Sequence, residues 1–249
     1  MIKIVILGNG NVATHLTKAF YKNKDARVVQ VYTRSTKPKF CLKNNIEITH
    51  NINNLKDADV YIISISDDAI VAFSKQLDLK DKLVVHTSGS VAMRDLVCNA
   101  RKGVFYPLQT ISKNAKVKFK KIPICLESEN EKDYLLLEKL ANTISKKVYK
   151  INSEQRQNLH VAAVFVNNFT NYLYKIGNDI CDEKNVKFEI LKPLILETAN
   201  KIKQISPEEA QTGPAKRNDK KTIKKHLELL TNEQQKIYNL LSKSISSKL

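Results

Sequence analysis

Two stretches of this chain hold residue types whose spacing could do chemistry. The first is Gly8-Asn9-Gly10-Asn11-Val12-Ala13, directly after the run Ile2-Lys3-Ile4-Val5-Ile6-Leu7. A mostly apolar run without helical spacing reads as a buried parallel strand. Gly-x-Gly-x-x-Ala between such a strand and a helix is the turn of a dinucleotide-binding βαβ unit. Gly8 permits the tight turn, Gly10 lets a pyrophosphate approach the backbone, and Ala13 lets helix and strand pack closely. The free N–H groups and positive dipole end of the helix then face the phosphates, so Gly8, Asn9, Gly10, Asn11 and Val12 are the expected contacts. The plain alternative is a glycine turn with no ligand. A second strand, Val28–Tyr32, runs into Thr33-Arg34-Ser35. No carboxylate stands there to take a ribose 2′-OH. Arg34 can instead pair with a 2′-phosphate, and Thr33 and Ser35 can hydrogen-bond to it, which favours NADP over NAD. The alternative is an Arg34 that is only an exposed loop residue.

Two further strand ends are candidates, because ligands of open α/β sheets gather outside the carboxyl ends of strands. The run Asp59–Ile65 supplies Ser64, Ser66 and Asp67 toward ribose or pyrophosphate. The run Leu83–His86 supplies Thr87, Ser88 and Gly89 toward the nicotinamide end or the substrate. Helix capping explains Asp67, Ser88 or Ser90 as well.

The second chemical stretch lies in Arg156–Leu173. At about 3.6 residues per turn His160, Val164, Asn167 and Asn171 share one stripe, with Asn168 beside it. A polar stripe among Ala, Val and Phe must hydrogen-bond something, either a neighbouring helix or second subunit, or a substrate. Further on, Gln211-Thr212-Gly213-Pro214-Ala215-Lys216-Arg217-Asn218-Asp219 makes a sharp turn into a helix that contains His226. Arg217 could bind a substrate anion and Thr212 a carbonyl. Alternatively Asn218 or Asp219 caps the helix and Arg217 is simply exposed.

The elements that must position these residues fall into two domains. Strands are expected at 2–7, 28–32, 46–49, 59–65, 83–86, 103–105, 123–127 and 147–151. Helices are expected between them at 11–24, 69–77, 91–98 and 131–145. From Asn152 onward the periodicity is helical, with helices at 153–182, 186–204, 217–230 and 232–247, Ser153 as a cap and Pro193 as a kink or restart. The expected organisation is a sheet domain, 1–152, and a helical domain, 153–249. The chain is long enough for a real core at 42% hydrophobic residues. The four cysteines, Cys41, Cys98, Cys125 and Cys181, are scattered and suit a reducing cytoplasm rather than disulfides or a thiolate metal site. No apolar run reaches membrane-spanning length, and the N-terminus reads as a strand rather than a signal peptide. The net charge of +17 is mostly lysine spread along the chain. It reads as a solvated surface that also attracts a phosphorylated cofactor, with nucleic-acid binding the weaker reading.

Taken together, Gly8-x-Gly10-x-x-Ala13, His86-Thr87-Ser88-Gly89, Tyr106-Pro107-Leu108-Gln109-Thr110, Leu159-His160-x-Ala162-Ala163-Val164-Phe165-x-x-Asn168-Phe169 and Gln211-Thr212-Gly213-Pro214-Ala215-x-Arg217-x-Asp219 resemble one group of bacterial NADP oxidoreductases. That group pairs an NADP-binding Rossmann domain with a helical domain of unknown function, and the resemblance spans essentially the whole chain. More distantly the chain is similar to pyrroline-5-carboxylate reductases, phosphogluconate dehydrogenases and deazaflavin-dependent NADP reductases. The resemblance implies an α/β Rossmann-type, mostly parallel sheet followed by an all-helical phosphogluconate-dehydrogenase-like domain that covers the nicotinamide and builds a homodimer. The Gly-rich catalytic-lysine helix of hydroxyacid dehydrogenases has no counterpart here, since Lys175 lacks that context. The expected activity is hydride transfer between NADP(H) and a small C=O or C=N substrate. His160 is then the acid/base, because imidazole titrates near neutrality. Asn167 or Asn168 would orient the substrate, Ser88 would lie near the nicotinamide, and Arg217 would hold a carboxylate. The alternative is a non-catalytic NADP-binding sensor or interaction protein.

Overall fold

The computed structural model describes residues 1–21, 23–34, 38–112 and 115–247. They form two compact units, Met1–Phe165 and Val166–Leu249. The first unit contains β1 (Ile2–Leu7), α1 (Asn11–Tyr21), β2 (Ala26–Tyr32), α2 (Lys39–Lys43), β3 (Glu47–Thr49), β4 (Val60–Ile63), α3 (Asp67–Ser74) and β5 (Leu83–His86). These are followed by β6 (Arg101–Pro107), β7 (Ile124–Ser128), α4 (Glu131–Asn142), β8 (Val148–Lys150) and α5 (Ser153–Ala163). The strands make one sheet of order β3-β2-β1-β4-β5-β6-β7-β8. Every neighbouring pair is parallel except β6 with β7. The chain order reverses between β1 and β4, which is the switch point where open sheets of this kind take ligands.

The sheet is buried on both faces, which is why its strands read as continuous apolar runs. Ile4, Ile6, Val60, Ile62 and Val85 pack on one side with Leu16, Phe20, Phe105 and Leu137. Their neighbours Val5, Leu7, Tyr61, Ile63 and Val84 pack on the other with Ile70, Phe73 and Leu96. Each such fully buried side chain contributes roughly 1.5–3 kcal/mol. These two layers therefore hold the strand ends in place against the polar residues that decorate them.

Three local expectations change. Residues 91–98 form no α-helix; only Met93–Asp95 makes a 3₁₀ turn. Side chains take the N–H groups such a helix would use. Ser88 Oγ accepts from Ser90 and Val91, Asp95 accepts from Ala92, and Ser153 Oγ accepts from Met93. The cap of α5 is Asn152, not Ser153. Asn152 and Gln155 complete a reciprocal capping box, and Ser153 turns to Glu127 instead. The α1 helix is shorter than expected, ending at Tyr21.

After α5 the helix passes through a π-helical segment, Val164–Phe169, into α6 (Thr170–Glu183). The sequence expectation places the change of domain at the start of α5; the compact units part within the π segment. The second unit continues with α7 (Lys192–Lys201), α8 (Pro207–Ala210), α9 (Lys220–Leu227) and α10 (Asn232–Ser246). Pro193 sits in the first turn of α7 and restarts the helix after a 3₁₀ turn at Phe188–Leu191. Among the described residues of this unit only Cys181 and Ala215 are buried. No helix among the described residues is long and apolar enough to cross a membrane.

Candidate functional site

The glycine turn after β1 contains two glycines with different reasons to be glycine. Gly8 has φ of +136°, and a Cβ there would lie 2.2 Å from the Ser64 carbonyl oxygen. The ends of β1 and β4 meet at this point, with Ser64 N–H donating to Leu7 O at 2.8 Å. Only glycine fits, on backbone grounds alone. At Gly10 a Cβ would meet no atom of the other described residues, its chain neighbours aside, within 4 Å. Packing does not explain that residue, whereas a group approaching from outside would. Gly8, Asn9, Gly10, Thr33, Arg34, Ser64 and Ser66 line one cavity of about 460 Å³ beside the turn. Among the described residues no carboxylate lines it, and Arg34 makes no ion pair. This arrangement fits a dinucleotide. Asn11 and Val12 lie in the first turn of α1, outside the lining residues, and the Asn11 side chain donates to Ile111 O at 3.1 Å. Ser35 lies outside the described residues. The sequence reading missed the far wall: Ala69, Ala72, Phe73 and Gln76, in and just past α3, together with Tyr32. Small residues at helical spacing after a strand-end turn are the signal that could have found it.

The second cluster gathers at the carboxyl ends of β5 and β6. Thr87 Oγ1 donates to Ser64 Oγ at 3.3 Å, which joins the two strand ends. Ser88 is buried, and its hydroxyl accepts two backbone N–H groups, so it holds the turn. Asp67 accepts from Ser90 Oγ at 2.5 Å, while α3 starts after Ser66 without a side-chain cap. His86 is fully buried, and Nδ1 accepts from Ser88 N–H at 3.2 Å. Burial, helped by the Arg156 charge, pushes that imidazole down to about 3, so it is neutral. His160, on α5, lies against this turn. A Cβ at Gly89 would lie 2.6 Å from His160 Nδ1 and 3.0 Å from the Tyr106 ring. Tyr106 Oη sits 3.1 Å from His160 Nδ1, the two rings being nearly edge to face. In the sequence alone Tyr106 stands only within the motif Tyr106–Thr110 that carries the family resemblance, with no role of its own.

Arg156 was missed outright as a functional element. It is fully buried. One guanidinium nitrogen pairs with Glu127, and another donates to Val91 O at 2.5 Å and to Ser153 Oγ at 3.2 Å. Ser153 N–H donates to Glu127 at 3.0 Å, and Gln157 donates to Ser90 O at 2.8 Å. The first turn of α5 is thus stapled to the 88–93 turn, one helical turn before His160 on the same face.

The remaining candidates belong to the second unit. Asn167, Asn168 and Asn171 are exposed, and Asn167 donates to Asn168 Oδ1 at 3.2 Å. The desolvation argument for a polar stripe therefore does not apply within this one chain. Its geometry also changes, because the π segment breaks the constant α-helical step on which it was drawn. Arg217 is exposed, and Asp219 caps α9 by accepting from Thr222 N–H at 3.0 Å. His226 pairs with Tyr238 Oη at 2.8 Å. No group of His, Cys, Asp or Glu among the described residues could hold a metal ion.

Comparison with known proteins decides the family. A Bacteroides fragilis protein of known structure, named "putative NADP oxidoreductase", is 39% identical over 99% of this chain and 98% of its own, with a TM-score of 0.90. The chain belongs to that family. Within it, residues 3–89 match the family described as "NADP oxidoreductase coenzyme F420-dependent" and residues 122–245 match "Domain of unknown function (DUF2520)". An imine reductase from Myxococcus stipitatus, solved in complex with NADP⁺, shares the fold at 14% identity, covering 98% of this chain and 92% of its own, with a TM-score of 0.68. A 1-pyrroline-5-carboxylate reductase from Streptococcus pyogenes does so at 14% identity, covering 99% and 98%, with a TM-score of 0.62. No protein of curated function matches.

Proposed function

We propose that this chain is an NADP(H)-dependent oxidoreductase acting on a small C=O or C=N substrate, with His160 as its acid/base. The observation that carries the reading is the His160–Tyr106 pair against Gly89. It lies at the carboxyl edge of the parallel strands whose β1 and β4 ends hold the glycine turn. The nicotinamide supplies the hydride. The protein binds and orients, and His160 gives a proton to the substrate oxygen or nitrogen in reduction and takes it back in oxidation. Gly10 leaves room for the pyrophosphate, Arg34 and Thr33 take the 2′-phosphate, and Ser64 and Ser66 reach the ribose. Thr87 and Ser88 shape the nicotinamide end. Asn167 and Asn168 orient the substrate, and Arg217 holds a carboxylate. The two distant relatives named above as an imine and a pyrroline carboxylate reductase support a C=N substrate.

Calorimetric titration tests the cofactor. Arg34→Ala is expected to weaken NADPH binding about ten- to a hundredfold, the size of one lost charge-assisted contact, and to leave NADH binding unchanged. Failure of the wild type to bind any nicotinamide nucleotide would end the enzyme reading.

The proposal includes a homodimer through the helical unit and a cytoplasmic protein. The helical unit leaves Leu194, Leu196 and Leu240 each more than 60% exposed and carries an open apolar pocket of about 340 Å³ lined by Leu173, Ile176, Ile237 and Leu241. Such surface asks for a partner. Sedimentation is expected to give twice the 28.4 kDa chain mass; a monomer at micromolar concentration would remove the dimer. The four cysteines are free and buried, as a reducing compartment would keep them.

A further inference from the structure

We infer that Tyr106 decides which nitrogen of His160 carries the proton: its phenol donates to Nδ1, so the neutral imidazole holds its hydrogen on Nε2 and presents that nitrogen as a donor. Three observations converge on this. The first is contact. Tyr106 Oη lies 3.1 Å from Nδ1, with ring centroids 6.2 Å apart and planes at 73°. The second is confinement. The imidazole rests on Gly89, where even a Cβ would come within 2.6 Å of Nδ1 and 2.7 Å of Cγ. The Nδ1 edge is closed by Gly89 and Tyr106 together, and Nε2 is the nitrogen on the other edge of the ring.

The third is the demand of a buried hydroxyl. Tyr106 is 8% exposed, and burial, with Cys125 and Asp67 adding to it, pushes its phenol up to about 12, so in the resting protein it carries its proton. A buried O–H needs an acceptor. Among the described residues the hydrogen-bond partner of this hydroxyl is His160 Nδ1. If Nδ1 held the hydrogen, the phenolic proton would be left with no acceptor. Nδ1 must therefore be the lone-pair nitrogen of the neutral ring.

The consequence for turnover rests on the acid/base reading of His160; the proton's position does not. In reduction, the Nε2 hydrogen leaves for the substrate oxygen or nitrogen. The Nδ1 lone pair takes the phenolic hydrogen in the same step, so no imidazolate forms; a solvent proton then arrives at Nε2 as the Nδ1 hydrogen returns to the phenolate, which restores the resting tautomer. Tyr106 is a positioning residue in this scheme, since it acts through His160.

The test is ring-nitrogen NMR of the ¹⁵N-histidine-labelled full chain, with the His160 signals assigned by their loss in His160→Gln. Wild type is expected to show an unprotonated Nδ1 and a protonated Nε2 at a pH where the ring is neutral. In Tyr106→Phe, which keeps the ring and removes the hydroxyl, the two tautomers are expected to mix. A proton on Nδ1 in the wild type, or an unchanged tautomer in Tyr106→Phe, would overturn the inference. NADPH affinity of Tyr106→Phe serves as the folding control, and if that variant misfolds, the wild-type tautomer alone decides. With a substrate in hand, Tyr106→Phe is expected to lower kcat about tenfold or more with KM unchanged. A chain that holds Nε2–H but turns over nothing would sink the enzyme reading and leave this one standing.

Discussion

Arg156→Met is expected to cost about 3–5 kcal/mol of stability, the usual penalty for stripping a buried charge of its partner. The guanidinium is fully enclosed, and the Glu127 side chain is 13% exposed. Removing the arginine leaves that carboxylate with Ser153 alone, and it also frees the Val91 carbonyl. Urea denaturation should show the midpoint falling with little change in slope. The double variant Arg156→Met, Glu127→Gln should recover most of the loss, because a pair removed together leaves no orphaned charge. A single-variant loss below about 1 kcal/mol would mean that the pair behaves like a surface ion pair. The same staple holds the turn against which His160 rests, so Arg156→Met should also depress turnover in protein that remains folded.

His160→Gln is expected to lower kcat/KM by about a hundredfold or more, equal to roughly 2.7 kcal/mol of transition-state stabilisation. Glutamine keeps a hydrogen-bond donor but cannot pass on a proton. His160 is not among the residues lining the cavity beside the glycine turn, so NADPH affinity should stay as in the wild type. The assay is NADPH consumption with keto acids and cyclic imines. Turnover equal to wild type on an accepted substrate would remove His160 from the mechanism. A parallel loss of NADPH affinity would point instead to a collapsed site.

What the sequence disclosed and what it hid follow from the range of the interactions. All eight strands were legible, because residues such as Ile4–Leu7 and Val60–Ile63 are buried on both faces and must be apolar in succession. The glycine turn was legible because strand, Gly8, Gly10 and helix are contiguous. The 91–98 segment was misread because its N–H groups are captured by side chains, and one of these, Ser153, lies 60 residues from its partner Met93. Arg156 enters the sequence analysis only as the first residue of the stretch that holds His160; its partner Glu127 is 29 positions away and on another element. Tyr106 and His160 are 54 apart. The π segment carries no mark in a pattern read at a single period. Contacts between distant residues with no shared periodicity are what one chain, read alone, does not display.

Gly8 and Gly10 answer to different masters, and related chains will drift accordingly. A side chain at Gly8 collides with the backbone of β4 whatever the protein does for a living. One at Gly10 collides with none of the described residues. A descendant that still folds but has abandoned its nucleotide would therefore be free to lose the second glycine while still keeping the first. Gly10 is then the position at which retirement from redox duty would leave its earliest trace.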